Sequence, residues 1–192
     1  MDARPMVSFR VEDQIELREF LADDAESVLA AVSGSYDHLR AFMHWMTPDY
    51  SLGSAREFIA QTQKDRAERR GLGLGIFRGR TLIGSIGFVS FDWSAMKTEI
   101  GYWISQDEQG KGIISSACRT LIDFAINELK MNRIEIRCSA ENVRSAAIPK
   151  RLGFQREGVL RQAEYRNGRL HDFEIYGLLA SEWRGLIENS KL

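Results

Sequence analysis

The stretch that most constrains this chain runs from Glu99 to Lys130, EIGYWISQDEQGKGIISSACRTLIDFAINELK. Glu99–Ser105 reads as a strand, Gln106–Gly112 as a short glycine turn, and Ile113–Lys130 as a long helix. The helix reading rests on spacing: Ile113, Ala117, Leu121, Phe124, Ala125 and Leu129 fall three or four apart, and Cys118 and Ile122 widen the stripe. Gly110 and Gly112 let the backbone bend and let a ligand come close. The unpaired N–H groups at the start of the helix then point at whatever sits there, with the positive end of the helix dipole behind them. That suits a pyrophosphate, and Lys111 adds a mobile positive charge. The competing reading is a glycine turn that only connects a strand to a helix. The spacing fits neither a Walker A loop nor G-x-G-x-x-G.

Composition narrows the class. A chain of 192 residues suits one domain, able to bury roughly 70% of its unfolded surface. A formal net charge of −1 supplies no global basic field for nucleic acid or an acidic membrane. Cys118 and Cys138 lie on apolar stripes and read as small buried hydrophobes rather than a disulfide. His38 and His44 are six apart, which does not place them on one helix face, so they read as partly exposed histidines and no metal site is expected. The start of the chain lacks the apolar core of a signal peptide, and no run of about 18 apolar residues occurs; a cytoplasmic protein is expected.

Taken in order, residues 1–13 read as a polar, loosely held extension, and Ile15–Phe20 as a first strand. Asp23-x-x-Glu26 reads as a capping box opening a helix that Gly34 ends. Tyr36–Trp45 reads as a short helix, and Ser54-x-x-Glu57 as a second box opening a helix to about Arg69. Strands follow over Leu72–Arg78 and Thr81–Phe91, and the Glu99 strand makes the third of an antiparallel set. After the long helix, Arg133–Cys138 alternates as a fifth strand, parallel to the one before the turn and reached by a right-handed crossover. Asn142 is placed to cap a short helix ending near Gly153. Gln155–Arg166, Asn167-Gly168 and Arg169–Leu179 form a hairpin with a type I′ turn, and the tail from Ser181 reads as helical. The expectation is one α+β (mixed α/β) domain over residues 1–192, with a mostly antiparallel sheet and one parallel crossover.

That order of elements, with Gln109-x-x-Gly112-x-Ile114 at the turn, resembles the GNAT N-acetyltransferases, whose pattern there is Gln/Arg-x-x-Gly-x-Gly/Ala. Ile114 departs from the pattern, so its side chain must turn away from a ligand. Ile100–Ile104, Asn142-x-x-Ser145, Leu152-Gly153-Phe154 and Gln162-Ala163-Glu164-Tyr165-x-Asn167-Gly168-x-x-His171-Asp172 further resemble the RimJ/RimL branch, and in particular RimL-type ribosomal-protein-serine acetyltransferases. The resemblance implies the GNAT fold, with a splay between the parallel strands for acetyl-CoA as co-substrate and no metal. It implies that Trp103 and Ile104 pair with the pantetheine, that Gln109, Gly110, Lys111, Gly112, Ile113 and Ile114 hold the pyrophosphate, and that Asn142 meets the pantetheine arm. The tyrosine that many members use to protonate the thiolate is replaced by Pro149, which has nothing to donate; Ser145 matches the RimL-type acid. For the base, Glu99, Glu157 and Glu164 are candidates, and Glu164 matches the RimL-type glutamate. Without the resemblance, Ser145 is a polar residue near a helix start and Glu164 a solvated carboxylate beside Arg161 and Arg166. His171 and Asp172 either orient Glu164 or fix the hairpin. The implied acceptor is a protein N-terminus, with a small amine or antibiotic as the other option. A non-catalytic acyl-CoA-binding module is the second class, and the oligomeric state is open.

Overall fold

Period-two alternation begins earlier than Ile15. In the computed structural model, which describes residues 6–12 and 14–189, Ser8–Glu12 (β1) pairs antiparallel with Ile15–Glu19 (β2). Residues 8–12 are therefore sheet, correcting the expected loose extension. Phe9 and Val11 lay their apolar sides on the core while Ser8, Arg10 and Glu12 face water. The Glu19 carboxylate anchors the approach to β1 by accepting from the Val7 N–H at 2.6 Å. Residues 1–5 and 13 of the expected extension lie outside the described residues.

Helices Ala25–Ser33 (α1), Tyr36–Phe42 (α2) and Leu52–Ala67 (α3) follow. Neither expected capping box forms. Asp24, not Asp23, organises the start of α1: its carboxylate accepts from the Leu21 N–H at 2.7 Å and binds Arg18 through both oxygens. In α3 the cap is Ser51, so the helix starts three residues early; Ser51 and Ser54 exchange side-chain-to-backbone bonds, with serine where a capping box has glutamate.

Leu72–Arg78 (β3), Thr81–Asp92 (β4) and Lys97–Ile104 (β5) run antiparallel in sequence. Helix Ile113–Asn127 (α4) buries most of its apolar stripe, Cys118 included, with Phe124 only partly covered, and ends before Leu129, short of the expected Lys130. Arg133–Ser139 (β6) returns parallel to β5. Val143–Arg151 (α5), the hairpin of Gln155–Arg166 (β7) and Arg169–Leu179 (β8), and Ala180–Asn189 (α6) complete the chain. Asn167 and Gly168 both have positive φ, 50° and 82°, as a type I′ turn requires.

The strands form one eight-stranded sheet in the order β1-β2-β3-β4-β5-β6-β8-β7. The sheet carries one core on each face. On one face Leu74, Ile100 and Ile134 of the sheet share a core with Leu121 of α4 and Trp183 of α6; on the other Phe20, Phe77 and Trp103 share one with Val28 of α1. No helix among the described residues is long and apolar enough to cross a membrane.

One irregularity of the sheet positions everything below. β5 and β6 pair only where Lys97–Glu99 faces Arg133–Glu135. Beyond that point β5 stays on β4 as far as Ile104, and β6 stays on β8 as far as Ser139. The two parallel strands therefore part, and β5 presents a free backbone edge inside the sheet.

Candidate active site

A cavity of about 860 Å³ occupies the parting of β5 and β6. Tyr102, Trp103 and Ile104 form its floor, the turn from Gln106 to Ile114 one side, and α5 the other, with α2 closing over it. At the turn, Gly110 and Gly112 have φ of 75° and 82°, and a Cβ on either would meet no atom within 4 Å. They are glycines because the turn needs left-handed backbone there, and the space in front of them is open. Gly112 caps α4 and, among the described residues, no side-chain cap bonds the first N–H groups of the helix, so these donors face the cavity. The Ile114 side chain turns into the core, where it is 7% exposed, leaving its backbone at the turn.

Of the residues expected to hold a pyrophosphate, Lys111 stands apart. It is not on the cavity wall; its Nζ lies 3.1 Å from Glu108, which also binds Arg78 at 2.7 Å. The cavity's cations come instead from α5. Arg144 and Arg151 are seven residues apart and so share a helix face. Arg144 donates to Gln109 Oε1 at 2.6 Å, Arg151 donates to Ser115 Oγ at 2.9 Å, and the Gln109 amide nitrogen meets the His38 ring. Gln109 thus bridges α2 to α5 across the mouth of the cavity. Burial, and then the charge of Arg144, hold His38 below the usual imidazole range. The i, i+7 arginine pair was readable in the sequence once α5 was placed; His38 as a wall residue was not, because it comes from a separate helix.

Further in, Asn142 caps α5, its Oδ1 accepting from the Ser145 N–H at 3.0 Å. Both residues line the cavity. Ser145 does not stand alone: the Tyr102 hydroxyl, from β5, lies 3.2 Å from Ser145 Oγ and 3.2 Å from the Ser145 carbonyl oxygen. Burial, above all, pushes the Tyr102 phenol well above its ordinary range. Sequence reasoning missed Tyr102, although its alternation with Trp103 places the two on opposite faces of β5.

Glu164 sits outside the cavity wall, on β7 behind α2. Its side chain is only 14% exposed, with Oε1 at 3.2 Å from His44 Nδ1 and Oε2 at 3.4 Å from Arg166 Nε. Arg166 is itself buried and donates to the Ala41 carbonyl at 2.7 Å, while Asn167 donates to the Arg40 carbonyl at 3.0 Å. The hairpin tip therefore closes off the last carbonyls of α2, whose Phe42 and Met43 line the cavity. His171 faces Glu164 across the hairpin and meets the Arg166 carbonyl at 3.1 Å; Asp172 accepts from the Gln162 N–H at 2.8 Å. Of the other candidate carboxylates, Glu157 is taken up by a two-pronged pair with Arg133. Glu99 is raised in pKa by burial, partly offset by Arg137 at 3.4 Å.

Residues 14–155 match the acetyltransferase (GNAT) domain family. The chain is 35% identical over 181 residues to YdaF of Bacillus subtilis (strain 168), whose name assigns it provisionally to the ribosomal N-acetyltransferases; the match spans 94% of this chain and 99% of that one. It is 38% identical over 101 residues to a ribosomal-protein-serine acetyltransferase of Escherichia coli (strain K12), covering 53% of this chain and 56% of the relative. Among solved structures, the microcin C7 self-immunity acetyltransferase MccE, in complex with acetyl-CoA and AMP, superposes with a TM-score of 0.83 at 29% identity, over 88% of this chain and 94% of that one.

Proposed function

The chain belongs to the GNAT acetyltransferase family, and from that premise we propose that it transfers acetyl from acetyl-CoA to the N-terminal α-amine of a protein, a ribosomal protein being the favoured acceptor, in the cytoplasm. One observation carries the reading. The free edge of β5 leads to the start of α4, where Gly112 offers no side-chain cap, so an extended thioester arm laid along Trp103 and Ile104 brings its phosphates to the open N–H groups. The open space over Gly110 and Gly112 fits that group.

Each residue then has a task. Trp103 and Ile104 offer backbone partners to the arm, and Asn142 meets it from α5. Gln109 to Ile114 cradle the diphosphate, with Arg144 and Arg151 adding charge. The amine nitrogen forms a C–N bond to the acetyl carbon while the C–S bond breaks. One proton leaves the nitrogen and one reaches the departing sulfur, giving the amide and free CoA. Glu164, which lies outside the cavity wall, receives the first proton through water, and the Ser145 hydroxyl donates a hydrogen bond to the sulfur. An α-amine, with a reference pKa near 7.7–8.0, is already about a tenth free at neutral pH, whereas a lysine near 10.4 is almost wholly protonated. A site with one carboxylate base therefore favours α-amines.

The test uses CoA release with a serine-initiated peptide and with its N-blocked, lysine-containing counterpart. The first should turn over faster than the second; equal rates overturn the α-amine reading, and no release with any amine leaves an acyl-CoA-binding module. With the active peptide, Glu164→Gln should lower turnover by roughly 10²–10⁴-fold near neutral pH. The loss should shrink towards pH 9.5, where the amine deprotonates unaided. Wild-type turnover in this variant moves the base elsewhere, with Glu99 next.

A further inference from the structure

The proline that removes the usual tyrosine also opens a place for another. In an α-helix the N–H of residue i+4 bonds the carbonyl of residue i. Pro149 stands four residues after Ser145 inside α5 and has no N–H, so the Ser145 carbonyl lacks the i+4 partner its own helix would otherwise supply. The Tyr102 hydroxyl occupies that vacancy, donating to the carbonyl at 3.2 Å, and from there its oxygen is also 3.2 Å from Ser145 Oγ. Tyr102 and Ser145 both line the cavity, while the ring of Tyr102 packs against the core that holds α4 and α5.

We propose that Tyr102 is a positioning residue that aims the Ser145 hydroxyl at the sulfur of the departing thiolate, and that Pro149 enables it by leaving the Ser145 carbonyl free. The inference rests on Ser145 serving the thiolate as described above. A serine hydroxyl has one proton and two lone pairs. When Ser145 gives its proton to a hydrogen bond with sulfur, its oxygen becomes a better acceptor. The Tyr102 hydroxyl oxygen lies 3.2 Å from both the carbonyl and Oγ, so its proton then swings to Oγ and supports the new bond. Tyr102 gives up no proton in this scheme. Burial, with the buried thiols Cys118 and Cys138 adding to it, keeps the phenol protonated far above working pH, so it is a constant donor. Cys138, pushed up to about 11 chiefly by burial, likewise stays a neutral thiol there.

A double-mutant cycle tests this on the full chain, with acetyl-CoA saturating and a serine-initiated peptide as acceptor. Tyr102→Phe keeps the ring and removes only the hydroxyl; its thermal midpoint and acetyl-CoA affinity, measured by calorimetry, serve as controls for folding and binding. Expected is a fall in kcat of about 10–100-fold for Tyr102→Phe, uniform from pH 6 to 9.5, with KM for acetyl-CoA within about twofold of wild type. Ser145→Ala should fall at least as far, and the double variant should match Ser145→Ala, because Tyr102 acts only through that hydroxyl. Wild-type kcat in Tyr102→Phe beside a slow Ser145→Ala overturns the proposal alone. Multiplied losses in the double variant also overturn it, because Tyr102 then acts independently. Wild-type kcat in Ser145→Ala instead removes Ser145 from the chemistry, and the underlying reading with it.

Discussion

Lys111 shows how a single side chain's partner decides its role. Its place beside Gly110 and Gly112 makes it the obvious phosphate ligand in the sequence, yet it spends its charge on Glu108. Arg144 is the better placed cation, because it already bonds Gln109 at the cavity mouth and presents a planar fork suited to phosphate oxygens. Calorimetric titration of acetyl-CoA should therefore rank the two. Lys111→Ala should weaken binding by less than about threefold and Arg144→Ala by about tenfold or more, the scale of one charge-assisted hydrogen bond. The reverse order would mean that Lys111 leaves Glu108 when ligand binds.

Among the elements, α2 depends on the β7–β8 hairpin more than on its own seven residues. So short a helix is marginal in isolation. Arg166 and Asn167 reach over from the hairpin tip to its last carbonyls, and the Arg166 guanidinium stands 5.8 Å over the Phe42 ring. Arg166 also holds Glu164 from behind at 3.4 Å. Arg166→Ala takes the guanidinium from a mostly buried carboxylate, leaving it His44 alone, and leaves the Ala41 carbonyl unpaired, while Asn167 still holds the Arg40 carbonyl. Chemical denaturation should register a loss of about 3 kcal/mol, typical of breaking a buried pair. Because α2 forms the cavity's roof, KM for the acceptor should rise in the same variant while stability still permits folding at 25 °C. Unchanged KM would detach the hairpin from acceptor binding.

Across the whole molecule, ligand binding and stability are coupled through the gap in the sheet. β5 and β6 share only three residue pairs before they part, so the two halves of the sheet are joined there by side-chain packing and by whatever fills the gap. A ligand that bridges them stabilises the native state by mass action, by about 2.7 kcal/mol at a hundred times its dissociation constant. Acetyl-CoA should raise the thermal midpoint of the wild type, and Gly112→Val should abolish that rise while leaving the far-ultraviolet circular dichroism unchanged. The variant forces a β-branched residue to φ near 82° at the start of α4, which distorts the turn more readily than the helix. A full thermal shift in Gly112→Val would place the diphosphate away from this turn.

Local chemistry determined much of this molecule. The apolar stripe of α4, the asparagine cap of α5 and the Asn167-Gly168 turn were all legible, because each depends on spacings of a few residues and on backbone preferences that those residues carry with them. Local patterning misplaced the capping boxes by one to three residues, since serine and aspartate compete for neighbouring N–H groups on nearly equal terms. The strand at residues 8–12 escaped notice because its alternation is weak until β2 pairs with it. The parting of β5 from β6 was expected only through the family resemblance, and tertiary structure alone decided the bridge from His38 through Gln109 to Arg144 and the meeting of Tyr102 with Ser145. These join residues 35 to 71 positions apart in the chain. No short-range preference encodes such distances; they follow from how the crossover helix and the two cores set one strand's end against another.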